Sequence, residues 1–99
     1  MALHTTYEKF YVALPKSVTT ETRLSIKGLI VKEKERHFID LREYWFNSGP
    51  MEPPTPTSKG AMVDVDHGFD LAAGLLKGLV DGGYLSQEQK DRLTAELNR

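Results

Sequence analysis

The stretch Phe38-Ile39-Asp40-Leu41-Arg42-Glu43-Tyr44-Trp45 limits the fold more than any other part of the chain. Its side chains alternate strictly, with Ile39 and Leu41 on one face and Phe38, Asp40, Arg42 and Tyr44 on the other, which is the period of a half-buried strand. The strand ends in three aromatics, Tyr44-Trp45-Phe46. Phosphate-pairing charge beside flat stacking surfaces is the chemistry that holds single-stranded nucleic acid.

Other strands are expected around this one. Over Tyr7–Leu14, Phe10, Val12 and Leu14 alternate with Lys9, Tyr11 and Ala13, and Pro15 closes the segment. A second strand is expected over Thr22–Val31, with Leu24 and Ile26 inward, Arg23, Ser25 and Lys27 outward, and a bulge or bend at Gly28. The alternating charges Lys32-Glu33-Lys34-Glu35-Arg36 are expected at the tip of a hairpin. Next come turn chemistry at Asn47-Ser48-Gly49-Pro50 and a stiff, donor-poor run over Pro53–Ser58. Gly60–Val65 is the expected fourth strand.

Helical signals follow. Asp66 is the expected N-cap of a helix over His67–Asp81 that stops at Gly82-Gly83. Its core stripe is Phe69, Ala72, Ala73, Leu76, Leu79 and Val80, and Leu71 and Leu75 widen it beyond what one sheet face covers. A second copy of the helix is therefore the expected partner, giving a homodimer whose interface holds Phe69, Leu71, Leu75, Leu76 and Leu79. Ser86-Gln87-Glu88-Gln89 is a capping box that opens a second helix through Asn98. The expected architecture is α+β: a four-stranded antiparallel sheet, a helix and an extra C-terminal helix. A chain of 99 residues suits one domain, with a core over 7–81 and a helical extension over 86–98.

The net charge of −1 lacks the strongly basic signature of many nucleic-acid partners, but its distribution is uneven. Residues 1–60 carry nine Lys and Arg against seven acids, and residues 61–99 four against seven. Basic strands and acidic helices would turn the sheet toward phosphates, with an affinity that salt weakens readily. The absence of cysteine excludes disulfides and thiol nucleophiles and suits a reducing, intracellular setting. The first residues do not read as a signal peptide, and no run is long enough to span a membrane.

The Ile39–Trp45 run, the proline-rich connection, Lys59-Gly60 and the short apolar strand leading into a helix together resemble the single-stranded-DNA-binding domain of the transcriptional positive cofactor four family. The resemblance covers most of residues 7–80, and its specific core is Arg42-Glu43-Tyr44-Trp45. It implies a dimer that grips single strands by backbone charge and stacking. Lys27, Lys32, Lys34, Arg42 and Lys59 would pair with phosphates, while Tyr44 and Trp45 would stack on bases. Two features depart from the family: the hairpin lacks its usual aromatic, and Ser58-Lys59 supplies one cation where the family has two. The family's long Ser- and Lys-rich regulatory tail has no counterpart here, which favours a compact bacterial or viral relative serving replication or recombination, with a transcription coactivator or regulator as the other role. The compartment would be the cytoplasm of a bacterium or an infected host, or the nucleus in a eukaryote.

Local alternatives stand beside these roles. Arg42 has a cross-strand pair with Asp40 or Glu43 as its ordinary reading, and Trp45 is as well suited to a core as to a base. His4, His37 and His67 are scattered, no phosphate loop is present, and of the acids Asp64 and Asp66 capping explains one, which leaves a metal-holding pair a weak reading. Neither catalysis nor a cofactor or metal is expected. The alternative function is a protein–protein interaction module, which salt would affect far less.

Overall fold

The computed structural model describes residues 4–46 and 53–99. The expected turn at 47–50 lies outside them, as do residues 1–3. The fold is α+β, a four-stranded antiparallel sheet followed by a helix and a C-terminal helix. The strands are β1 (His4–Pro15), β2 (Thr20–Val31), β3 (Lys34–Trp45) and β4 (Thr55–Asp64), arranged in sequence order across the sheet. A 3-10 turn, Val65–His67, leads to α1 (Gly68–Asp81), and α2 spans Gln87–Leu97. The chain divides into two compact units, Met1–Gly68 and Phe69–Arg99.

Alternation in β2 and β3 decides the sheet. Their pairing runs without a break from Thr20 opposite Trp45 to Val31 opposite Lys34. Opposite residues share a face, so Arg23, Ser25, Lys27 and Leu29 stand with Arg42, Asp40 and Phe38, while Leu24 and Ile26 stand with Leu41 and Ile39. The hairpin tip is shorter than the charge run suggested. Only Lys32 and Glu33 form the turn, both at positive φ (51° and 69°), and Lys34 to Arg36 already belong to β3. A two-residue turn with both φ positive matches the right-handed twist of its strands.

The edge strands depart from regular pairing. In β1 the register shifts between Thr5 and Tyr7 and again between Phe10 and Val12. The second shift reverses the phase, so Phe10 faces with Ser25 while Val12 and Leu14 face with Leu24 and Thr22. The first shift lies opposite Gly28, so the irregularity expected at that glycine sits on the neighbouring strand. In β4 the pairing passes from Gly60 opposite Arg42 to Pro56 opposite Tyr44, four residues of β4 against two of β3. This strand starts at Thr55, inside the proline run; at a sheet edge the missing N–H of Pro56 need not interrupt a ladder. Gly60 allows the close approach, because a Cβ there would lie 2.5 Å from the Leu41 carbonyl oxygen and 2.8 Å from the Arg42 Cα.

Two ends are capped by side chains. The Asp64 carboxylate accepts from the Asp66 amide at 2.9 Å and opens the 3-10 turn, displacing the N-cap role expected of Asp66. Strand geometry leaves Asp64 free to fold over the following amides, whereas Asp66 is already inside the turn. In the helical unit, Gly83 at φ 71° ends α1, with the Tyr84 amide donating to Leu79 and the Gly83 amide to Val80. Ser86 and Gln89 form the expected capping box of α2. Leu76 and Leu79 are half-buried, lining an apolar cleft with Leu85 and Leu93, while Phe69 and Val80 of the expected stripe are exposed. No helix among the described residues is long and apolar enough to cross a membrane.

Candidate nucleic-acid interface

The polar face of the sheet contains the most buried side chains among the described residues. Asp40 is 0% and Ser25 1% exposed, while the only buried hydrophobics among the described residues are Leu29 and Tyr44 on the same face. This reverses the simple expectation of a solvated polar face. Proline residues 53, 54 and 56 and Thr57 of the bulged part of β4 border, with this face, an open groove of 660 Å³. That volume falls within the range of about 300–1,000 Å³ found for ligand sites.

A charge network crosses the groove floor. The Arg42 Nε donates to both Asp40 oxygens at 3.2 and 3.1 Å, its Nη2 donates to Oδ1 at 3.0 Å, and its Nη1 donates to the Thr57 carbonyl at 3.0 Å. Lys27 Nζ bridges Asp40 at 3.0 Å and Glu8 at 3.1 Å, tying β1, β2 and β3 together. Burial alone would raise the Asp40 pKa, but hydrogen bonds from Arg42 and Lys27 outweigh it and hold the carboxyl below its ordinary value. Burial would lower Lys27, but its bonds to Asp40 and Glu8 raise it, and the Asp40 bonds raise Arg42. No buried side-chain polar atom among the described residues lacks a partner. With five N–H groups in its guanidinium, Arg42 has one on each Nη without a partner among the described residues.

An aromatic cluster lies beside this network. The Tyr44 and Phe10 rings meet edge-on with centroids 5.9 Å apart, and the Arg23 guanidinium lies over both, 5.1 Å and 5.3 Å from their centroids. Arg23 also pairs with Glu21. Tyr44 is buried, whereas Phe10 remains 43% exposed. Thr57 secures the far wall: its hydroxyl donates to the Glu43 carbonyl at 2.9 Å and accepts from the Lys59 amide at 3.2 Å.

The groove therefore brings together Lys27, Arg42 and Tyr44 of the residues expected to touch nucleic acid. Lys32 and Lys34 sit at the hairpin end of the sheet, and Lys59 precedes Gly60, the partner of Arg42. Trp45 stands on the other face, 48% exposed, because the bulge at this end belongs to β4 and leaves the alternation of β3 intact. The ordinary reading of Arg42, a pair with Asp40, holds, though along one strand rather than across two. Phe10, Arg23 and Thr57 emerge only from the structure. Arg23 was legible as an outward residue of β2, but the bulge after Phe10 hid that Phe10 shares its face, and Thr57 reaches the site through a strand that begins within the proline run.

Among the described residues no cluster of three or more His, Asp or Glu is placed to hold a metal ion. The helical unit exposes Phe69, Leu71 and Leu75, and Leu75 borders, with Leu76 and Leu79, the unit's own cleft. Comparison with protein-family models, with curated proteins and with solved structures finds no match for this chain.

Proposed function

We propose that the sheet binds single-stranded DNA without sequence preference. The observation that carries this reading is the groove over the polar face, where a stack of Phe10, Arg23 and Tyr44 lies beside an arginine with two spare N–H groups. Flat apolar rings accept any base, and a guanidinium adds a cationic face to the stack. Lys32, Lys34 and Lys59 supply positive charge outside the groove for the backbone. A strand lying there meets the exposed part of Phe10, which Tyr44 backs from below, and leaves Trp45 untouched on the far face.

The protein acts as a homodimer in this reading, with Phe69, Leu71 and Leu75 of α1 forming the contact. The exposure of Leu71 (49%) and Leu75 (62%) supports it. The resemblance to the cofactor family favours an intracellular role in replication, recombination or transcription.

The test is fluorescence anisotropy of a labelled oligothymidine at low and high salt. Expected is binding that weakens as salt rises, with little change in Trp45 emission. Phe10→Ala should weaken it by about 1–3 kcal/mol, the loss of one stacking partner. Absence of binding at low salt would remove the nucleic-acid reading and leave a protein-interaction module.

A further inference from the structure

We infer that Asp40 makes the groove interior a receptor for bases and leaves the phosphates of a bound strand to lysines outside it; this rests on the single-strand reading above. Each cation inside is already matched, Arg23 by Glu21, Lys27 by Glu8 and Asp40, and Arg42 by Asp40. Three positive charges meet three carboxylates, so the interior is electrically neutral. A phosphate that took Arg42 or Lys27 would strip the buried Asp40 of one of its two cationic partners, and a buried carboxylate with part of its pairing removed is unfavourable.

A base faces no such obstacle. It carries no net charge, and it meets the exposed part of Phe10, the Arg23 plane and the two remaining N–H groups of Arg42, which suit a base carbonyl or ring nitrogen. By contrast, Lys32, Lys34 and Lys59 make no ion pair among the described residues. They are free to release counterions when a phosphate arrives. Asp40 is thus a positioning residue. It fixes the Arg42 fork and cancels the charge behind it.

Salt titration of the full chain with labelled oligothymidine tests this, since each phosphate neutralised on a single strand contributes about −0.7 to the slope of log K against log salt. Lys34→Ala and Lys59→Ala should each flatten the slope by about 0.7, whereas Lys27→Met should leave it unchanged whatever happens to affinity. Asp40→Asn should steepen it by about 0.7 or more as buried cations are freed. Should that variant not fold, Lys27→Met and a strand of the same length without bases keep the question open to measurement. The abasic strand should bind about tenfold or more weakly with the same slope, having lost its stacking. Equal binding of the abasic strand, or a Lys27→Met slope as flat as that of Lys59→Ala, would overturn the inference. If the wild-type protein bound neither strand at low salt, the single-strand reading itself would fail.

Discussion

Asp40 governs the behaviour of the groove because its buried carboxylate is the partner that Lys27 and Arg42 share. Its native pKa is held below the ordinary value, so near pH 4 the folded chain binds fewer protons at this site than the unfolded chain. The contribution to stability is complete above the unfolded carboxylate pKa and fades as pH falls through the lower native value. Asp40→Asn is expected to cost about 3–5 kcal/mol at pH 7, as a buried pair broken on one side. Urea unfolding should show the gap to wild type narrowing below about pH 4. Gly60 is a second sensitive position. A methyl group there would press on the backbone of Leu41 and Arg42, which cannot yield as a side chain would. Gly60→Ala should lose about 1–3 kcal/mol in the same measurement. Arg42 and Tyr44 were legible in the sequence because alternation put them on one face. The burial of that face was not, since a strand of Asp, Arg and Tyr reads as solvated until the proline-rich wall and its ion pairs are known.

At the level of elements, legibility followed local chemistry. The centres of β2 and β3, the stop at Gly82-Gly83 and the Ser86 capping box each follow from a few neighbouring residues. The misplaced features depended on partners elsewhere. Two bulges altered the phase of β1, and β4 extended into a proline run because only one of its edges is paired. The β2–β3 turn was hard to delimit because Lys32 and Glu33 occupy positive-φ positions that usually carry Asn and Gly. That mismatch leaves room for improvement. Glu33→Gly should stabilise the protein by about 1 kcal/mol by relieving left-handed strain at a side-chain-bearing residue. A rise in thermal midpoint with unchanged oligothymidine affinity is the expected readout.

For the whole molecule, the apolar residues left exposed on α1 are the feature to test in solution. Sedimentation equilibrium should show a dimer, and Leu71→Glu should shift it toward monomer by placing a charge in the contact while the far-ultraviolet dichroism stays unchanged. The sheet has a different consequence, a kinetic one. Its strand order is the order of synthesis, so each strand pairs with the one made just before it, and the central hairpin closes through only two residues. Little loop-closure entropy opposes the central pairing, and a growing chain can form its β1–β3 ladders before the helices have been translated.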